Sequence, residues 1–348
     1  MNKRQSNIEL LRIISIFLIM VVHATYLTFG TPTPHEIQAK PLGSFFFIGL
    51  ENVSVICVDI FVLISGWFGI HPKVKSIGGL LFQCVYFGLI MAIFFGVTGI
   101  QPLGATTLAK CMVNYPHFVM CYIVMYLMTP VLNAFVEHAS RIQFRNMLIG
   151  LYSWAFIFGW FLHNDDSFAG GNSALAFMGL YLLARYIRIH CTFPARLQKA
   201  RVWGVIWLAN VLIVTAAVWA SSYFGFSLKV SNVLLNMTTS YLSPNVILAA
   251  ISLLLCFTHF RFKSKTVNWI AASAFASVLT HGYAMNNVYI PLIQDLYKAS
   301  PLVTFLCEAV GIMLAYLIIS AVLDKPRMYL WEKVYPLLDR WVVSRFRR

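Results

Sequence analysis

Apolar positions in this chain neither alternate with polar ones nor keep to one helix face. They come in continuous runs of about 20 residues, the length a helix needs to cross the hydrocarbon core of a bilayer. Strands of a membrane barrel would instead alternate over about ten positions. The runs predict helices over 8–28, 45–68, 77–99, 115–136, 146–162, 172–189, 202–224, 240–258, 267–290 and 302–323. The fifth and sixth are short. Reading that pair as a hairpin leaves the orientation of the rest unchanged, because two spans are gained or lost together. The expected fold is all-α, a polytopic transmembrane bundle of about ten helices.

Composition agrees with the pattern. Of 348 residues, 59% are hydrophobic and 11% charged, against roughly a quarter charged in soluble domains. Lipid must be the solvent, and there only helices or closed barrels satisfy the backbone. The first run, Ile8 to Phe29, is long for a cleaved signal, ends in no small-residue cleavage site and carries Arg12 and His23. The seven cysteines have no metal-ligand spacing, so neither a disulfide framework nor a zinc site is expected.

Charge sets the orientation. With the N-terminus inside, 21 Lys and Arg fall in cytoplasmic segments, among them Lys3, Arg4, Lys73, Lys75, Arg141, Arg145, Arg185 and Arg188. Lys40, Lys110, Lys229 and Lys298 are the basic residues of the outer loops, and Arg12 is left within a span. This loop-by-loop alternation follows the positive-inside rule and predicts an even number of spans with both termini cytoplasmic. It also accounts for the net charge of +14 without nucleic acid. The outer loops 29–44 and 225–239 are too short to fold alone. The chain therefore reads as one transmembrane domain, 1–323, and a basic tail, 324–348. Leu330, Val334, Leu337, Leu338, Trp341 and Val342 lie near helical spacing in that tail. It is either an amphipathic helix on the inner membrane surface or a frayed end, and Pro336 weighs against one continuous helix.

Ionisable groups inside spans point to function. Arg12 and His23 are 11 positions apart, about three turns, which puts them on one face roughly 16 Å apart along the axis. Arg12 could instead snorkel to headgroups or pair with Glu9, and His23 could be a satisfied core histidine. Asp59 on the second span needs a partner; it could orient His23 or pair structurally with a cation. Ser65 and Gly66 allow close backbone approach, and His71, Lys73 and Lys75 follow as a basic patch able to hold phosphates or to serve only as a topology signal. His117, His281, Arg185 and Arg188 are further polar candidates.

These residues resemble the membrane-bound acyltransferase family 3, whose members acylate sugars and envelope glycans. The resemblance starts with NIELLRIISIFLIMVVHA, where Arg12 and His23 match the family's arginine–histidine signature. It continues through VDIFVLISGW (58–67), HFVMCYIVMYLMTPVLN (117–133), FMGLYLLARYIR (177–188), SPNVILAAIS (243–252) and SVLTH (277–281). Lys73 and Lys75 replace the arginines that often follow the second helix, and His117 stands where a tryptophan is usual. The resemblance is to stand-alone members. It implies transfer of an acyl group, most often acetyl, from cytoplasmic acetyl-CoA as co-substrate to a hydroxyl of a surface glycan or lipid-linked saccharide, in a bacterial inner membrane and with no bound cofactor. It implies His23 as general base or acyl carrier, with Asp59 as orienter; Arg12, Ser65, Lys73 and Lys75 then become candidate donor contacts. A transporter or flippase of a lipid-linked sugar is the alternative.

Overall fold

The computed structural model describes residues 5–113, 116–162 and 164–346, with side chains except at 112–113, 228–229 and 339–346. Lys3, Arg4 and the side chains of Trp341 and Val342 lie outside the described residues. In chain order the helices are α1 (Ser6–Ala24), α2 (Tyr26–Phe29), α3 (Pro34–Ala39), α4 (Pro41–Ser54), α5 (Cys57–Phe68), α6 (Val74–Val97), α7 (Ala105–Val113), α8 (His117–His138) and α9 (Arg141–Trp154). There follow α10 (Ala174–His190), α11 (Ala200–Tyr223), α12 (Leu228–Thr239), α13 (Pro244–Thr258), α14 (Lys265–Ala271), α15 (Ala274–Ala284), α16 (Ile290–Ala299) and α17 (Leu302–Phe346). No strand occurs among the described residues.

Seven helical stretches are long and apolar enough to cross a membrane: Ser6–Phe29, Pro41–Phe68, Val74–Val97, His117–His138, Ala200–Tyr223, Val230–Thr258 and Leu302–Leu338. The chain is an all-helical, multi-pass membrane protein. The other expected spans are helical but shorter or interrupted. A capping box of Ser140 and Gln143 starts α9, which passes into a π-helical turn at Ala155–Phe161. The ninth expected span is broken between α14 and α15 and again by a π-turn at Met285–Tyr289.

The second span is also broken, at Val55–Ile56 between α4 and α5. Ser54 Oγ donates to the carbonyls of Leu50 (2.8 Å) and Glu51 (3.0 Å), a local bond that competes with the helical ladder. Just beyond, Ser15 Oγ of α1 donates to the Cys57 carbonyl at 2.6 Å.

The chain divides into two compact units, Met1–His71 with Met120–Asn268 and Pro72–Val119 with Trp269–Arg348. In the first unit α5 is central, packed on α1, α10 and α13. Ile56, Ile60, Val62 and Leu63 are wholly buried. Gly66 lets α10 approach: a Cβ there would lie 2.5 Å from the Tyr181 carbonyl oxygen and 2.9 Å from Ala184 Cβ. This is the close approach expected of the Ser65-Gly66 pair.

In the second unit α17 runs through Asp324 without interruption, so the helix ignores the expected boundary between last span and tail. Asp324 is buried and takes a bidentate ion pair from Arg327, both distances 2.9 Å, and a hydrogen bond from Gln83 at 3.0 Å. Lys325 Nζ donates to the Trp269 carbonyl (2.9 Å) and to Ser273 Oγ (3.0 Å). Trp331 stacks on Phe82 at 5.3 Å and lies against Gly78 and Gly79. The start of the tail is thus packed on α6.

Candidate functional site

In the first unit Arg12 and His23 sit on α1, as their spacing requires. Arg12 makes an ion pair with Glu9 at 3.4 Å, and its side chain is 27% exposed. His23 is half-buried near the other end of the helix. A hydrogen bond joins α1 to α5, and a longer-range charge effect links them through α8. Ser15 bonds Cys57, while Arg12 acts electrostatically on Tyr122, whose hydroxyl lies 3.1 Å from Ser65 Oγ. Lower numbers on α1 thus face higher numbers on α5, and the two helices run antiparallel.

With the helical rise of 1.5 Å per residue, that register puts Asp59 level with about residue 13 of α1, roughly 15 Å below His23. The expected carboxylate–imidazole bond is accordingly not formed: Asp59 is fully buried and neither of its oxygens has a hydrogen-bond partner. Asp59 acts electrostatically on Cys57, Tyr152 and Tyr241. The same register brings Glu51 level with about residue 21, close to the depth of His23. Glu51 is also buried, with both oxygens lacking hydrogen-bond partners. Sequence reasoning passed over Glu51, although it is an ionisable residue inside the second expected span, the signal that singled out Asp59.

The end of α5 that faces Arg12 is a polar, cationic cluster. Tyr181 Oη donates to Asn133 Oδ1 (2.6 Å) and accepts from the Ile70 amide (3.1 Å), while Asn133 Nδ2 donates to the Ile70 carbonyl (2.8 Å). These bonds close a ring that holds the chain as it leaves α5 through Gly69, where φ is +76°. Arg185 lies against that glycine: a Cβ there would meet its Nη1 at 3.1 Å, and Arg185 Nε is buried without a hydrogen-bond partner. Arg188 lies over the Trp67 ring at 4.9 Å, a cation–π contact. Ser65, Arg12, Arg185 and Arg188 therefore share the first unit with His23 and Asp59.

The remaining candidates belong to the second unit. Lys73 and Lys75 are exposed at the start of α6, and Lys75 lies 5.4 Å over the Tyr335 ring. His117 is exposed at the start of α8. His281 is buried, edge-on to Tyr289 at 4.4 Å and to Tyr316 at 5.7 Å. That aromatic setting is what a packed core histidine has. Comparison with family models, with curated proteins and with solved structures returned no match to this chain.

Proposed function

We propose that the chain is an integral membrane O-acyltransferase of about ten spans, of the family 3 type, with both termini in the cytoplasm of a bacterial inner membrane. It moves an acyl group, most simply acetyl, from cytoplasmic acyl-CoA to a hydroxyl of a cell-surface or lipid-linked glycan. The observation that carries the reading is the layout of the first unit. A guanidinium cluster with Ser65 lies at one end of α5, and a histidine lies three turns from Arg12 on the same helix.

A sugar hydroxyl is a weak nucleophile at neutral pH. His23 takes its proton as the oxygen attacks the thioester carbonyl, a contribution of roughly 10² to 10⁴ in rate. The tetrahedral intermediate collapses, the C–S bond breaks, and the imidazolium returns the proton to the coenzyme A sulfur. Arg12 and Ser65 are the donor contacts assigned within the first unit, about three turns or more from His23, and Arg185 and Arg188 supply positive charge at the same end. Lys73 and Lys75 are assigned to donor phosphates on charge and exposure alone. Asp59 acts in the site without touching His23.

The test is mass spectrometry of surface glycans from a strain lacking the protein, complemented with the normal gene or with His23→Ala at equal membrane levels. Return of an acyl mass increment with the first and not the second is expected. A second reading, a transporter of a lipid-linked sugar, draws on the broken second span, since transporters place their sites at interrupted helices. It predicts glycans of normal composition held on the wrong side of the membrane.

A further inference from the structure

The first unit holds a second feature, away from α5's cationic end. The segment Asp165–Asn172 and the segment Asn236–Tyr241 enclose a recess of about 380 Å³, within the range of small-molecule sites. Its walls are built rather than loose. Leu242 N and Ser240 Oγ both donate to the Gly170 carbonyl, at 3.0 and 3.2 Å. Ala169, Gly170 and Gly171 run successively at φ +43°, +60° and +94°. A Cβ on Gly171 would sit 2.5 Å from Leu242 N, so only glycine fits there. Asp165 is fixed by the Trp154 indole at 2.6 Å and the Ser167 amide at 2.9 Å.

The lining is the informative part. Asp165, Asp166, Asn172, Asn236, Ser240 and Tyr241 face the space, with no lysine or arginine lining it among the described residues. Two carboxylates without a cation repel phosphate and sulfate. They accept hydrogen bonds from hydroxyls, while the amides both donate and accept and the Tyr241 ring offers an aromatic wall. That mixture suits a neutral polyhydroxylated ligand. Cys57, Asp59 and Tyr26 act electrostatically on Tyr241, so the recess lies on the side of the unit that holds the start of α5 and the end of α1. On the charge-derived topology Asp165–Asn172 is an outer loop, and Asn236–Tyr241 is the end of α12 and the turn after it, at the outer end of the span that continues as α13.

We infer that this recess is the binding site for a neutral saccharide, the acceptor of the proposed transfer. The inference rests on the glycan-acylation reading for the word acceptor, and the experiment separates the two. Full-length protein in nanodiscs is applied to an array of neutral mono- to tetrasaccharides, with inorganic phosphate and calcium as separate probes. Acyl transfer from acetyl-CoA to the saccharides bound is then measured. Wild-type protein is expected to bind at least one saccharide and not phosphate. Asp166→Asn, an exposed and conservative change, and Asn236→Ala should each weaken that binding tenfold or more, the loss of one charge-assisted or buried hydrogen bond. Binding indifferent to both substitutions overturns the site, as does the absence of any saccharide binding. Calcium binding that depends on Asp166, without saccharide binding, overturns it in favour of a cation site. Saccharide binding that needs Asp166 but no acyl transfer upholds the recess and removes the acyltransferase. Acyl transfer with an acceptor KM unmoved by Asp166→Asn does the reverse.

Discussion

Gly66 offers the sharpest test of how the first unit is held. A methyl group there would lie 2.5 Å from the Tyr181 carbonyl oxygen and 2.9 Å from Ala184 Cβ. Ordinary contact begins near 3.4 Å, so α5 and α10 must part by about 1 Å. The nearer obstacle is backbone and cannot rotate away. Overpacking of this kind costs about 1–3 kcal/mol, and the helix preference of alanine over glycine returns about 1 kcal/mol. The net is a loss of up to about 2 kcal/mol, or up to about 8 °C in Tm for a unit of this size, and a deficit of about 1–3 kcal/mol against an alanine that gains the helix preference without the clash. The separation also pulls Tyr181 away from Ile70 and Asn133 and lifts Arg185 from Gly69. The assay is thermal unfolding of purified Gly66→Ala in detergent. Gly150→Ala on α9 is the control, since nothing lies within 4 Å of a Cβ there; it should be neutral or slightly stabilising. Ala184→Gly in the Gly66→Ala background should restore only part of the loss, because the Tyr181 carbonyl stays in place. A Gly66→Ala protein as stable as Gly150→Ala would refute the reasoning.

Three further outcomes are expected. Asp324→Ala leaves Arg327 buried without its carboxylate and should cost about 3–5 kcal/mol, seen as a steep loss of folded protein in membranes; a wild-type melting curve would contradict the buried pair. Asp59→Asn should melt no lower than wild type, because neither carboxylate oxygen gives up a hydrogen bond; a fall of several degrees would reveal a partner. Hydrogen bonds from Ser167, then from the Trp154 indole, hold the exposed Asp165 carboxyl below its ordinary value of 3.8. A depressed folded-state pKa gives stability that is present above the unfolded value and lost as pH falls through the folded one. The Trp154 fluorescence should therefore change below pH 3.8 in wild type and not in Asp165→Asn, and a midpoint above 3.8 would reverse the sign.

Hydropathy found where helices lie, because a run of about 20 apolar residues has few alternatives in lipid. It did not find where they break. Val55 and Ile56 are as apolar as their neighbours, and the interruption follows directly on Ser54, whose hydroxyl bonds the backbone. The eighth expected span, 240–258, is instead the second half of the stretch Val230–Thr258, with a break between α12 and α13. There Ser243 precedes a proline, which disfavours the helical conformation at that serine. The tail was ambiguous because Pro336 argues against a helix, yet α17 carries both Pro326 and Pro336. Its anchors, Asp324 on Gln83 and Trp331 on Phe82, are tertiary contacts that no local pattern reports.

The candidate site shows the same division more sharply. Arg12 and His23 share one helix, so the 3.6-residue period alone sets their relation, and the sequence suffices. Asp59 and His23 lie on different helices, and their relation depends on register, which a loop of variable path leaves open. Of the two roles open to Asp59, that of orienter requires that it and His23, on neighbouring spans, meet. The bond from Ser15 to Cys57 sets a register in which they do not, and gives the depth of His23 to Glu51. A carboxyl buried in a span is tolerated only where protein encloses it. The second span satisfies that condition best, with 78% of its most apolar window buried against 50% for the first span. The interruption and both carboxyls can persist there because this span is the centre of its unit. Its polar content therefore marks the inside of the bundle first, and only those groups that reach Arg12, His23 or the recess at Tyr241 are available for chemistry.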